Sequence, residues 1–333
     1  MLRYTPQQQA QVINNRRLFN SHQETIGERH GLVNSSALVG NAMTLPRDVW
    51  GEWDREAITL QRSVLAVFSD IAAAAQSPMA IGKLVTYFMT ASDSGEVNTS
   101  MDGRSKARTD QPTIDYVGTP LPIIDTGFTY SWRQMAAAET EGFGSLDSVA
   151  RDNANRRIAE KLENAALFGY SGIVVGGAAS YGMLNHPNRN TRATGVTLNA
   201  ATGAQWMAEI IATLKLLHAD NYKVPATIYL NWSDWFYASS TEFVANYPKT
   251  ILQRIMEIAG VKEIVPADSI PANTIAALIK DRRVVEVKNG MPISTRVKFR
   301  ANPEDDYDFT VIAAAVLQWK YDAANQMGLA VSS

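Results

Sequence analysis

The residues able to do chemistry are few and scattered. Four histidines, His22, His30, His186 and His218, stand far apart, and none forms the i, i+4 pair that sets two imidazoles on one helix face against a metal. His218 falls at the end of an expected helix, where an imidazole suits the terminal carbonyls, so capping accounts for it. The glycine-rich run GYSGIVVGGAASYG (169–182) is neither a nucleophile elbow, nor a dinucleotide fingerprint, nor a Walker loop. Glu304, Asp305, Asp306 and Asp308 form a carboxylate cluster without the spacing of a calcium loop, which reads as a solvated turn. The chain has no cysteine, which removes disulfides, thiolate metal sites and cysteine nucleophiles together. The expectation is no catalytic residue, no cofactor and no metal.

Composition narrows the classes further. At 333 residues the chain has room for two domains or one elongated one, and 46% hydrophobic with 19% charged residues is ordinary globular composition. The formal net charge of −2 lacks the basic surplus of a protein that grips nucleic acid through phosphates. Aromatics interleaved with a basic patch are also missing. The N-terminus has no apolar signal core, and no run approaches the roughly 18 apolar residues of a membrane span. A soluble chain made in the cytoplasm is expected.

With no reactive constellation to position, the elements themselves carry the information. The stretch 145–169, SLDSVARDNANRRIAEKLENAALFG, reads as one helix of roughly 36 Å. Ser145 is the expected N-cap, Asp147 sits on the favourable side of the macrodipole, and Gly169 is the C′ stop. Leu146, Val149, Ala150, Ala154, Ile158, Leu162, Ala165 and Ala166 make a narrow apolar stripe, suited to lying along a sheet. Arg151, Asp152, Arg156, Glu160 and Glu163 are expected off that stripe.

Before it, residues 1–44 are polar, with a short helix expected around Pro6–Phe19 and too little apolar content to bury themselves. Residues 45–76 hold a helix with Trp50, Trp53, Ala57, Leu60, Val64, Val67, Phe68 and Ile71 at helical spacing, ended by Ser77-Pro78. From Ile81 the period changes to two. GKLVTYFMTASD and GFTYSWRQM are expected to be the two arms of a ribbon, with Phe128, Tyr130 and Trp132 alternating along the second. The polar tip between them carries Glu96, Asp102, Arg104, Lys106, Arg108 and Asp110, and prolines 112, 120 and 122 demote the returning arm to an edge. A two-stranded ribbon is marginal in water alone, so it calls for a partner surface.

After the long helix comes an irregular glycine-rich connection. Residues 200–282 then read as an α/β unit with helices at 203–218, 232–239 and 250–259 and strands at 226–230, 261–265 and 274–279. Trp232, Trp235, Phe236 and Tyr237 read as packing at a strand-to-helix corner. RRVVEVKNG and MPISTRVKFR are expected to form a hairpin about Asn289-Gly290, and DFTVIAAAVLQWKYD a long buried strand before a short tail.

The order of elements, with three stretches of wording, resembles the major capsid proteins of tailed phages, the Hong Kong 97 capsid fold. LPRDVWGEWDREAI (45–58) is similar to the entry of the N-terminal arm into the shell domain. VARDNANRRIAEKLENAALFGYSG (149–172) resembles the spine helix and its glycine ending, and YGMLNHP (181–187) the turn that follows it in these shells and in encapsulins. The resemblance implies an α+β fold. It maps an N-terminal arm to 1–50, a P-domain helix to 51–79, an E-loop β-ribbon to 80–135 and the P-domain with the spine helix to 136–189. The α/β axial (A) domain follows at 190–282 and the P-domain return strands at 283–333.

It also implies a structural subunit, not an enzyme, that self-assembles into hexamers and pentamers of an icosahedral virion head around double-stranded DNA, touched weakly and nonspecifically. Assembly would occur in the host bacterial cytoplasm, without a membrane. A portal, a separate scaffolding protein and a decoration or cement protein are the further partners implied. The separate scaffold follows because the long helical leader of some members is not seen here. The interface candidates are Glu96, Asp102, Arg104, Lys106 and Arg108 at the ribbon tip, with Trp50 and Trp53 anchoring the arm. Some members crosslink a ribbon lysine, but a tip salt bridge is the favoured reading of Lys106. Two other readings stand beside this one: an encapsulin-type nanocompartment shell, and a soluble α/β enzyme with an unrecognised site.

Overall fold

The structure is a computed structural model that describes residues 5–29, 66–102, 104, 106, 109–140, 146–245 and 248–333. The chain divides into two compact units, Met1–Ile58 and Thr59–Ser333. In the first, helix α1 (Pro6–Arg29) begins with proline at the position where its missing N–H costs nothing, and it runs ten residues past the expected end at Phe19. No second proline follows to break it. Val12, Ile13, Leu18 and Phe19 are all exposed on it.

Of the helix expected over 45–76, the described residues hold helix α2 (Ala66–Ala74); Trp50 and Trp53 lie outside the described residues. It stops short of Ser77-Pro78 because Gln76–Pro78 forms strand β1 instead, parallel to a later strand. Strands β2 (Val85–Ala91), β3 (Ile114–Pro120) and β4 (Ile124–Tyr130) follow, then helix α3 (Trp132–Thr140) and the long helix α4 (Leu146–Phe168). Short strands β5 (Val174–Val175) and β6 (Ala178–Ala179) make a tight hairpin over Gly176 and Gly177, both at positive φ (58° and 83°), which the turn demands of glycine. Strand β7 (Asn190–Arg192), helix α5 (Gly203–Ala219), strand β8 (Ala226–Leu230), helices α6 (Trp232–Ser240) and α7 (Ile251–Met256), and strands β9 (Val261–Pro266) and β10 (Ile275–Leu278) come next. Strands β11 (Val285–Val297), β12 (Tyr307–Trp319) and β13 (Leu329–Ser332) complete the order.

Two sheets organise these elements. One has the order β1-β11-β12-β4, the other β7-β13-β10-β8-β9, while β2 and β3 stand apart as a two-stranded ribbon. The stripe of α4 does what its narrowness suggests: Ala154, Ile158 and Leu162 pack on Val311, Ala313 and Ala315 of β12. Burying Ile158 and Leu162 contributes about 2–3 kcal/mol each. Leu121, at the root of the ribbon, packs with Ala314 and Val316. The largest core surrounds the second sheet, with Trp206, Ile210, Leu214 and Leu217 of α5 laid on its strands. Thr202 and Gln205 start α5 with a reciprocal capping box, and Thr250 and Gln253 do the same for α7.

Four expectations are corrected. The partner of β2 is β3, with Val85 opposite Pro120 and Ala91 opposite Ile114, whereas 124–130 leaves the ribbon and pairs with β12. The ribbon's last bond runs from Leu121 N–H to Leu84 C=O at 2.8 Å, and Pro122, which has no N–H, follows it. Trp132 opens a helix, because Ser131 and Gln134 cap it reciprocally: each side chain accepts the other residue's backbone N–H. Asn289-Gly290 is no turn. β11 runs straight through it, with Asn289 opposite Ala315 and Met291 opposite Ala314, so Gly290 is the extra residue of a bulge. Its bare Cα leaves room for Leu121, whose Cδ2 would lie 2.7 Å from an added Cβ and would have to shift to admit one. Finally Glu163, expected off the apolar stripe, is 5% exposed. Its Oε1 accepts Val67 N–H at 3.0 Å and Ser269 Oγ–H at 2.7 Å, and its Oε2 accepts Phe68 N–H at 2.9 Å. A carboxylate from α4 thus caps the start of α2, where the dipole favours negative charge.

The tail also has a place. β13 lies between β7 and β10 in the second sheet, apart from the return strands β11 and β12 with which the resemblance grouped it.

Candidate assembly surfaces

The ribbon has two unlike faces, fixed by the period of two and by its register. Val85, Tyr87, Met89 and Ala91 on β2 lie opposite Pro120, Gly118, Tyr116 and Ile114 on β3, so one face is apolar throughout. It is also open: Tyr87, Met89, Ile114 and Tyr116 are 59%, 59%, 54% and 64% exposed. Exposed apolar side chains clustered on one face mark an interaction surface rather than ordinary scatter. The interface candidates read from the sequence are charged residues at the tip, and these four are not among them although the alternation contains them. Gly118 lets Tyr87 lie across the ribbon, since a Cβ at 118 would meet the Tyr87 ring at 2.8 Å.

Ser92 and Thr113 extend the ladder by Ser92 N–H to Thr113 C=O and Thr113 N–H to Ser92 Oγ, both 2.9 Å. Beyond them, Glu96, Asp102, Arg104 and Lys106 are all exposed on the tip. Asn98 Nδ2 donates to the Lys106 carbonyl at 3.3 Å, and Arg104 N–H to Asp102 Oδ1 at 3.4 Å, so the tip folds on its own backbone. The structure brings these four to one end of the ribbon; Arg108, like Trp50 and Trp53, lies outside the described residues. Two apolar side chains stand among them, Val97 at 95% and Met101 at 105% exposure.

At the ribbon's root lies a half-open cleft of about 460 Å³, walled by Tyr87 and Tyr116, the β5–β6 glycine hairpin, Tyr181, His186, Asn188 and Tyr321. A chain of ring contacts ties its wall to the ribbon. Phe88 meets Tyr321 edge-on at 5.6 Å, Tyr321 meets His186 at 5.8 Å, and His186 meets Tyr181 at 5.5 Å. His186 is 4% exposed and accepts Asn188 N–H on Nδ1 at 3.1 Å. Burial, with the Arg189 guanidinium adding to it, pushes its pKa down to about 4, so it is neutral at pH 7. Burial likewise raises Tyr321, with Asp115 and Tyr181 contributing.

The turn YGMLNHP holds this wall in place by closing the end of α4. Gly169 N–H, Met183 N–H, Leu184 N–H and Asn185 Nδ2 donate in turn to the carbonyls of Ala165, Ala166, Leu167 and Phe168. The four orphan carbonyls of the helix terminus are thereby satisfied. Such close backbone contact requires glycine: a Cβ at 182 would lie 2.2 Å from the Leu167 carbonyl carbon, and Gly169 adopts φ 69°.

A second set of charges ties α2 to the β8–β10 sheet. Lys280 Nζ donates to Asp70 Oδ1 at 2.8 Å and to Glu263, and Tyr229 Oη–H donates to Asp70 Oδ2 at 2.7 Å. Burial pulls the Lys280 pKa down, but the two carboxylates outweigh it and the net direction is up. Glu286, against the burial that opposes its charge, is held down at about 2 by Lys320, Lys288 and Ser77. Among the described residues, no three His, Asp or Glu side chains come together as a metal would need, and no helix is long and apolar enough to cross a membrane. Asp305 Oδ2 of the carboxylate cluster accepts the N–H groups of Ala301 and Asn302, which is turn chemistry. Trp232, Trp235 and Phe236 contact one another at the β8–α6 corner, with Phe236 59% exposed.

Comparison with known proteins fits this geometry. Residues 40–331 match a family described as one of unknown function (DUF6260). No curated protein matches. Among solved structures, the capsid of Myoviridae phage XM1 is similar over 88% of this chain and 99% of that one, at 14% identity and a TM-score of 0.68. A structure from Mycobacterium phage Adephagia covers 89% and 98% at 11% identity and TM-score 0.58, and one from Microbacterium phage Oxtober96 85% and 95% at 14% and 0.55. The α+β fold implied by the resemblance, the Hong Kong 97 capsid fold, is the fold of this chain.

Proposed function

We propose that this chain, which belongs to the DUF6260 family, is a major capsid subunit that self-assembles through its surfaces into hexamers and pentamers of a phage head. The observation that carries the reading is the fold shared with the XM1 capsid across nearly the whole of both chains. The apolar ribbon face supports it independently. A free two-stranded ribbon is marginal in water, and Tyr87, Met89, Ile114 and Tyr116 gain by leaving solvent only if another surface covers them. α1 gives the same indication, with Val12, Ile13, Leu18 and Phe19 exposed on a helix too polar to bury itself. Function then resides in interfaces, and the subunit carries out no reaction.

In this reading 1–50 is the arm, 51–79 the P-domain helix, 80–120 the E-loop ribbon, α4 the spine within 136–189, 190–282 the axial domain, whose sheet β13 joins, and 283–319 the return strands. Glu96, Asp102, Arg104, Lys106 and Arg108 meet a neighbour, and Trp50 and Trp53 anchor the arm. The subunit assembles in the host cytoplasm with a scaffolding protein and portal and resides in the virion. Near-neutral net charge suits a lining that contains DNA without gripping it. The test is size-exclusion chromatography and negative-stain microscopy of the protein expressed alone and with its genomic neighbours. Closed shells or capsomer rings are expected; a monodisperse monomer under every condition, neighbours included, refutes the reading.

A further inference from the structure

We infer that the cleft at the ribbon root is a binding site for a neutral saccharide. Its volume of about 460 Å³ is that of a small-ligand pocket, and among its described lining residues none is ionised. Asp115 and Arg189, whose charges act on Tyr321 and His186, stand outside the lining, and the Arg189 guanidinium is turned to the His186 carbonyl, which Nη1 meets at 2.9 Å. Tyr87, Tyr116, Tyr181 and Tyr321 wall the cleft, and none of their hydroxyls hydrogen-bonds to a described residue.

Two polar devices are built into the same wall. His186 is 4% exposed, and its Nδ1 accepts the Asn188 N–H at 3.1 Å, so the proton of the neutral ring is on Nε2. No described residue accepts from that Nε2–H, and the ring lines the cleft, set edge-on to Tyr181 and Tyr321. Beside it Asn188 Nδ2 donates to Asn325 Oδ1 at 3.1 Å, which leaves Asn188 Oδ1 as an acceptor and Asn325 Nδ2 as a donor for a ligand. A hydroxyl both donates and accepts, so adjacent hydroxyls of a sugar ring match an acceptor and a donor held side by side. The exposed rings of Tyr87 and Tyr116 offer apolar faces to the C–H face of the same sugar. An anion or an amine finds no counter-charge in the lining, and a purely apolar side chain would leave the imidazole N–H without an acceptor. Every group belongs to one copy of the chain, so the inference stands apart from the assembly reading.

The test is saturation-transfer NMR on the full chain with maltose, cellobiose, isomaltose and chitobiose, each against its amino-sugar and uronic-acid counterparts. At least one neutral disaccharide is expected to bind, and more tightly than either charged counterpart. Tyr116→Ala and Asn325→Gly, both at exposed positions, should each weaken that binding about fivefold, the loss of one stacking face or one hydrogen bond, with unchanged circular dichroism. Glycine suits the backbone at 325, where φ is 62°. His186→Phe keeps a flat ring without the N–H and should weaken binding about tenfold. Any disaccharide that binds is tested again as its polymer by co-sedimentation; retention identifies a surface glycan as the source, and its absence a free sugar. Failure of every neutral sugar to bind overturns the inference. So does binding that is unchanged in all three variants, or a proline-rich peptide held at the cleft in place of the sugars.

Discussion

Glu163→Gln isolates the contribution of one buried charge at the junction of three elements. The substitution keeps size and shape but replaces one carboxylate oxygen with an NH2 group. The carboxylate now accepts three donors: Val67 N–H and Ser269 Oγ–H on Oε1, and Phe68 N–H on Oε2. A glutamine keeps two of them by placing its oxygen at Oε1, which turns its amide nitrogen toward the Phe68 N–H. One charge-assisted hydrogen bond is lost, about 1.5–3 kcal/mol, and a part-buried N–H is left facing a second donor, about 1–3 kcal/mol more. Their overlap gives an expected destabilisation of about 3 kcal/mol. The measurement is urea unfolding of the dispersed subunit, with Asp152→Asn on the exposed side of the same helix as a matched loss of charge, expected within about 0.5 kcal/mol of wild type. Hydrogen exchange adds a local readout, since the Val67 and Phe68 amides should lose protection before the rest of α2. A Glu163→Gln cost below about 1 kcal/mol, with those amides still protected, refutes the reasoning.

Acid should weaken the root of the ribbon. His186 has a folded pKa of about 4 against an ordinary 6.5, so the unfolded chain binds the proton more readily between those values. Its neutral form contributes full stability above pH 6.5, and this is lost progressively down to pH 4, about 3 kcal/mol in all. Urea unfolding across that window should show a steeper slope for wild type than for His186→Gln; equal slopes contradict the assignment. Gly182→Ala forces a Cβ to within 2.2 Å of the Leu167 carbonyl carbon and should cost 3 kcal/mol or more, or yield insoluble protein, read as a lowered melting temperature or loss of the soluble fraction. Arg104→Glu with Lys106→Glu should abolish assembly and leave the subunit folded, checked by microscopy and circular dichroism; wild-type particle yield counts against a tip interface. Lys280→Met leaves Asp70 and Glu263 facing each other and should destabilise by roughly 3 kcal/mol, recovered in part by Asp70→Asn, as unfolding midpoints would show.

The parts of the fold legible in the sequence are those where one period dominates. The stripe on α4, the core face of α5 and the strand 226–230 are set by burial against one neighbour, and burial is what periodicity records. Failures came where two local signals competed. Asn289-Gly290 carries a hairpin turn's residues, yet its glycine forms a bulge inside β11 beside Leu121, more than a hundred residues away in sequence. Phe128, Tyr130 and Trp132 alternate like a strand, but Ser131 and Gln134 cap a helix between them, and the cap prevailed. Glu163 looked solvated because a helical wheel cannot show that the N-terminus of another helix sits above it. The interface candidates were sought among charges, where sequence is most readable. The apolar face of the ribbon needed the register of β2 against β3 before Tyr87 and Tyr116 could be seen on one side.

The position of β13 governs when this fold can be completed. The strand is fully buried between β7, with which it runs parallel, and β10, with which it runs antiparallel. It follows its neighbours in the chain by about fifty residues in one case and well over a hundred in the other. A nascent chain that has emerged only as far as β12 therefore has β7 without its sheet partner and β10 with one edge bare. Such long-range closure is slow and comes late. Until it occurs the largest core stays open, and the second sheet is complete only once β13 has threaded between β7 and β10.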